Sequence, residues 1–140
     1  MSRYIILPNG RETTFTLLEL ACRHCGQFNY HSGVLDKYQD VREELNEPMS
    51  PTSGCRCLAH NTNVGGKASS FHISDVIPKE HAGRTGCMAI DTATPSPMYM
   101  GRLFACLWKH GFTVGINFQK RFLHADQRKM IGWEQTTFPY

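Results

Sequence analysis

The stretch TVGINFQKRFLHAD, running from Thr113 to Asp126, decides the fold. Its first half alternates, with Val114, Ile116 and Phe118 on one face. Arg121 to Asp126 alternates again, and Gln119-Lys120 between the two runs reads as a turn joining two strands. On a strand the side-chain period is two, so His124 and Asp126 point the same way. Two other short pieces supply matching chemistry: SSFH (residues 69–72) offers His72, and MAID (residues 88–91) offers Asp91. Two imidazoles and one carboxylate, with a fourth position left for water, make a plausible catalytic zinc set. Nitrogen and oxygen ligands without thiolate keep the metal a strong Lewis acid, able to bring the pKa of a bound water to about 7.

Outward from this stretch, the chain mixes strands and helices with short connections. Tyr4–Leu7 reads as a strand, Asn9-Gly10 as a turn, and the following residues as its return. Phe15–Ala21 reads as a short helix or docking turn that leads into the tight loop Cys22–Gln27. Val34, Leu35, Tyr38, Val41 and Leu45 recur at helical spacing, which predicts a helix over 35–45 capped by Ser32 and stopped by Pro48. Met49–Ser53 is extended, and Ala59–Gly66 is a polar, glycine-rich loop. Residues 73–87 have no clean period and read as a loop or flap, and Met88–Thr92 as a buried strand. Ser96-Pro97 opens a second helix whose apolar face is Met100, Leu103, Phe104, Leu107 and Trp108, ended by Gly111. The aromatic tail, Trp133–Tyr140, reads as irregular chain packed over the outside. The expected architecture is a single α+β domain, residues 1–140, with a small antiparallel sheet and flanking helices.

Bulk composition narrows the function classes. The chain has 140 residues, 41% hydrophobic and 19% charged, enough for one packed core. A net charge of +3 without a dense basic stripe argues against nucleic acid as a partner. No apolar run approaches the ~20 residues that span a bilayer, so no membrane insertion is expected. The first eight residues are too short and too soon interrupted for a secretory signal, which predicts a chain that is cytoplasmic as synthesised, released by lysis or carried on a particle. A monomer is expected. Six cysteines is many for a reduced compartment. Cys22 and Cys25 form a C-x-x-C, and Cys55 and Cys57 a C-x-C, which together make a candidate structural zinc site; the alternative is that some are small buried hydrophobes. His60 reads as a residue that hydrogen-bonds the glycine-rich loop, and His24 and His110 as solvent-facing or capping residues.

Several pieces match one family in order. Thr52-Ser53-Gly54-Cys55-Arg56-Cys57, His60-Asn61, Val64-Gly65-Gly66, Ser69-Ser70-Phe71-His72, Ala89-Ile90-Asp91 and Phe122-Leu123-His124-Ala125-Asp126-Gln127-Arg128 together resemble the zinc D-alanyl-D-alanine carboxypeptidases. That family includes vancomycin-resistance dipeptidases and phage endolysin peptidases, and the chain is similar to its compact, phage-associated branch. The resemblance implies the fold shared with the hedgehog signalling domain, Zn(2+) held by His72, Asp91 and His124, and Arg56 gripping substrate. It also implies hydrolysis of an amide near a D-alanine in peptidoglycan stem or cross-bridge peptides.

The sequence departs from the family pattern twice. His72 and Asp91 stand nineteen residues apart, wider than the family's usual interval, and the extra residues bring Asp75, Glu80 and His81 as rival ligands. The Glu that many relatives carry three residues before the last His is here Arg121. A zinc peptidase needs a group to take a proton from metal-bound water. Asp126 is the first candidate for that base, and equally a candidate for orienting His124 from behind. The missing Glu keeps open a second reading, a non-catalytic zinc-containing module that binds wall peptides or a protein partner.

Overall fold

The computed structural model describes residues 3–75 and 82–140. Its elements run β1 (Tyr4–Ile6), β2 (Glu12–Thr16), α1 (Leu17–Leu20), α2 (Val34–Leu45), β3 (Pro51–Ser53), α3 (Leu58–Asn63), β4 (Ala89–Ala93), α4 (Pro97–Lys109), β5 (Thr113–Asn117), β6 (Phe122–Asp126) and β7 (Thr137–Pro139). Among the described residues, β1 and β2 form a hairpin and the other strands one sheet, in the order β3-β4-β6-β5-β7. That sheet is antiparallel except at its edge, where β7 runs parallel to β5. The expected α+β architecture, a small antiparallel sheet with flanking helices, is therefore present.

Strand alternation divides the sheet into an apolar face and a polar one. Ile90 from β4, Val114 from β5, and Leu123 and Ala125 from β6 are buried with Leu35, Tyr38 and Val41 of α2 and Leu103 and Leu107 of α4. The Tyr38 hydroxyl reaches through this core to Thr92 Oγ1 at 2.6 Å, which satisfies both buried groups. The residues between these positions, Asp91 on β4 and His124 and Asp126 on β6, lie on the opposite face. The helices thus build one side of the sheet and leave the other to carry chemistry.

Local signals explain most boundaries. Thr16 and Glu19 form a reciprocal capping box on α1, and Ser96 with Pro97 starts α4 as predicted. Three readings need correction. Ser32 does not cap α2; the cap position is Gly33, whose φ of 90° suits glycine. The loop expected at 59–66 begins with a helical turn and a half, α3, because Cys57 caps it through its sulfur. The irregular tail contains β7, which pairs Val114 with Thr137 and Gly115 with Phe138. In the 73–87 segment, Ile73 bridges Arg56 and Cys87 bridges Tyr30, while residues 76–81 lie outside the described residues.

Candidate metal centre

Sheet register makes the site. Asp91 stands directly opposite His124 in the β4–β6 pair, so both side chains project from one face. His72 arrives from the turn after α3, held by a backbone bond from Arg56 N to His72 O at 2.8 Å. The result is three donor atoms at one point: His72 Nε2 lies 3.1 Å from Asp91 Oδ1, His124 Nδ1 lies 3.1 Å from the same oxygen, and the two nitrogens are 3.3 Å apart. All three residues are buried.

The outer ring nitrogens fix which atoms point inward. His72 Nδ1 is 2.8 Å from the carbonyl oxygen of Gly54, which can only accept, so Nδ1 carries the proton. His124 Nε2 is 2.7 Å from Asp126 Oδ2, so there too the proton sits outward. Both rings then turn their other nitrogen onto the carboxylate oxygen of Asp91. Once those inner nitrogens are unprotonated, three acceptors converge and repel one another unless a cation lies between them. Bonds of about 2.0–2.2 Å to a tetrahedral zinc would set such donors roughly 3.3–3.5 Å apart, close to the observed spacing. The residues therefore fit a zinc ion. Electrostatics agree. Burial would raise the Asp91 carboxyl, but the flanking imidazoles of His72 and His124 hold it well below the usual carboxylate range. Burial would lower His124, yet Asp126 and Asp91 hold it up to about 9, while burial prevails at His72 and lowers it. Asp91 thus stays ionised and draws positive charge toward His124, whereas burial keeps His72 neutral.

Of the two roles open to Asp126, base or orienting group, its contacts match the second. Its carboxylate is fully buried behind His124, on the ring nitrogen that faces away from the ligand point. It also accepts from Arg128 three times, from Nε at 2.9 Å, Nη2 at 2.8 Å and the backbone N at 3.0 Å. A carboxylate so engaged is not placed to receive a proton from a water on the opposite side of the imidazole. It orients His124 and holds the proton on its Nε2. Arg128 completes this relay, a role that its place in the matched motif did not disclose. Of the rival ligands, Asp75 stands outside the three-donor group, and Glu80 and His81 lie outside the described residues.

Arg56 stands beside the ligands. Its Nε donates to Ser53 Oγ at 3.1 Å, its terminal nitrogens make 3.5 Å contacts, Nη1 with Asn61 Oδ1 and Nη2 with Asp91 Oδ2, and the guanidinium also interacts with the Tyr140 hydroxyl. The contacts with Asn61 and Asp91 are at the outer limit of hydrogen bonding, so the fork retains donor capacity for a substrate. Asn61 in turn donates to Lys67 O at 2.9 Å and ties the Gly65-Gly66 loop to α3.

The tail contributes a wall that periodicity did not reveal. Tyr140 stacks on the His124 ring with centroids 4.7 Å apart, and Phe138 stands 5.7 Å from it. Gly115, the cross-strand partner of His124 on β5, makes this possible, because a Cβ there would lie 2.8 Å from the Phe138 ring. Gly115→Ala should therefore displace β7 and cost about 1–3 kcal/mol by overpacking. The check is the denaturant midpoint; an unchanged midpoint would mean that Phe138 is not seated on the sheet.

The cysteines divide differently from the expected set of four. The sulfurs of Cys22, Cys25 and Cys57 lie within 4.8 Å of one another, but Cys55 is not among them. Cys55 is buried against Cys87 and donates to Asn29 O at 3.6 Å, whereas Cys57 turns outward to cap α3. All six cysteines are free. Burial would raise the Cys22 thiol, but backbone N–H groups of Cys57, Cys25 and His24 outweigh it and bring it down to about 7.

Among the described residues no helix is long and apolar enough to cross a membrane. No curated protein matches the chain. A family model described as Peptidase M15 matches residues 13–126, a span that carries His72, Asp91, His124, Arg56 and Asp126. The chain belongs to the M15 family of zinc-dependent peptidases.

Proposed function

We propose that this chain hydrolyses peptide bonds next to D-alanine in peptidoglycan stem or cross-bridge peptides, with zinc held by His72, Asp91 and His124. The observation that carries the reading is the convergence of three donor atoms at 3.1–3.3 Å beside an arginine fork. Bound there, zinc would polarise the scissile carbonyl and acidify a water. The protein's own groups do the rest. Gly54 O and Asp126 keep the imidazole protons outward. Arg56 presents a planar pair of N–H donors that suits the terminal carboxylate of a D-alanine or the carbonyl of an internal peptide bond. Tyr140 and Phe138 close one side of the pocket against water. The chain would reach its substrate after synthesis in a cytoplasm, by host lysis or on a phage particle, and act as a monomer.

A second reading has its own observation. Among the described residues, Asp91 and Asp126 are the acidic groups bonded to the three-donor cluster, and the position three before His124 is the exposed Arg121. A scaffold without a base would bind wall peptides and leave them whole. Incubation of the zinc-loaded chain with defined stem and cross-bridged peptides, followed by mass spectrometry, separates the two. Cleavage supports the peptidase, and tight binding without cleavage supports the module. Arg56→Lys keeps the charge but loses the fork, so KM should rise by roughly tenfold, about 1.4 kcal/mol, with zinc content unchanged. An unchanged KM would remove Arg56 from substrate binding.

A further inference from the structure

A second group of ligands lies outside the reactive centre. Cys22 and Cys25 sit on a tight loop closed by Gly26 N to Cys22 O at 2.8 Å and Cys22 N to Gln27 O at 2.8 Å, with Gly26 at a φ of 76°. Cys57 approaches from the segment that carries Arg56, and its backbone N–H donates to Cys22 Sγ at 3.3 Å. His60 N donates to Cys57 Sγ at 3.4 Å. Backbone N–H groups turned onto sulfur favour thiolate. His24 Nδ1 lies 3.5 Å from Cys57 Sγ on the exposed side of the cluster.

We propose that Cys22, Cys25, Cys57 and His24 form a structural site for a thiophilic divalent cation, zinc above all, which clamps the C-x-x-C loop to the Arg56 segment. With Zn–S bonds of about 2.3 Å and Zn–N bonds of about 2.0 Å, neighbouring sulfurs of a tetrahedron stand about 3.8 Å apart and a sulfur and nitrogen about 3.5 Å. The three sulfurs lie within 4.8 Å of one another, and the Cys57–His24 spacing already matches. A small inward movement of the exposed Cys25 and His24 side chains would close the tetrahedron. The site has a structural role because it has no open position and because Cys57 joins Arg56 to the cap of α3. It does not depend on the reaction at His124.

Metal counting on the full chain tests this. Zinc-loaded wild type should carry about two zinc ions per chain. Cys25→Ser, at an exposed position, and Cys57→Ser should each carry one fewer, as should His124→Ala, which empties the other site. With cobalt(II) in place of zinc, a thiolate-to-cobalt charge-transfer band should appear in the near ultraviolet. It should persist in His124→Ala and vanish in both cysteine variants. His24→Ala should keep that band and shift the visible ligand-field bands, since an imidazole is lost. A single zinc in wild type that His124→Ala removes, with no charge-transfer band, overturns the proposal. So does a disulfide between any two of the three cysteines in chain purified without reductant. A His24→Ala spectrum identical to wild type overturns the assignment of His24. Failure of the peptidase reading would leave the cobalt band untouched, so the two are separately testable.

Discussion

His124→Ala is expected to abolish peptide hydrolysis and to release metal from the centre formed by His72, Asp91 and His124. Among the described residues His124 is one of three donors that converge there, and its Nδ1 is 3.1 Å from Asp91 Oδ1. With three protein ligands at a catalytic zinc site, each carries a large share of the affinity. Loss of an outer partner of a metal ligand costs about 10–100-fold in affinity or activity, and loss of the ligand itself should exceed that. Stability gives an independent readout. A ligand present at about 1,000 times its dissociation constant stabilises the folded state by roughly 4 kcal/mol. Added zinc should therefore raise the melting temperature of wild type by more than that of His124→Ala, where any stabilisation at this site disappears. Full zinc-dependent stabilisation and intact cleavage in the variant would mean that the metal is held elsewhere and that the convergence of His72, Asp91 and His124 has another purpose.

The sheet that builds this centre could be read from the sequence because its signals are local. The alternation of Val114, Ile116 and Leu123, the Ser96-Pro97 start and the Asn9-Gly10 turn each act within a few residues, and each matched an element. The three residues of the candidate metal centre were legible through ordered motifs, since His72 and Asp91 are far apart in sequence and no period joins them. What escaped depends on long-range placement. Nothing near Tyr140 says that β7 will lie parallel to β5 and stack a phenol on His124, because parallel edge pairing leaves no short-range mark. α3 escaped because Asn-Thr-Asn is a weak helix former and a sulfur cap is an unusual start signal. The four cysteines looked like two pairs, but Cys55 and Cys57 flank Arg56 in a segment that bridges to Ile73 and then turns into a helix. That turn sends the two sulfurs to different neighbours. Asp126 could be placed on the face of His124 by strand periodicity. Its orientation behind the ring, fixed by Arg128, could not.

Asp126→Asn should show that the carboxylate acts through His124 and through the fold at once. The substitution keeps the shape but removes the charge that accepts from His124 Nε2 at 2.7 Å and from Arg128 Nε and Nη2 at 2.9 and 2.8 Å. An amide that offers oxygen to one partner turns its NH2 toward the other, and both partners are donors. Zinc affinity should fall about 10–100-fold, and stability by on the order of 3 kcal/mol, as when one member of a buried ion pair is lost. Acid titration gives a finer signature. Burial would raise the Asp126 carboxyl, but Arg128 and His124 outweigh it and hold the group down to about 2. A carboxyl depressed below its unfolded value of about 3.9 stabilises the fold above that pH, and the contribution disappears as pH falls toward the folded value. Wild type should lose this increment between about pH 4 and pH 2, and Asp126→Asn should lack it, so the two stability curves converge in acid. Were Asp126 instead the proton acceptor, the variant would still lose the stability that its Arg128 contacts supply but would keep its zinc while turnover collapsed. Retained metal with a collapsed kcat would therefore overturn the orienting role, whereas metal, stability and turnover falling together would establish it.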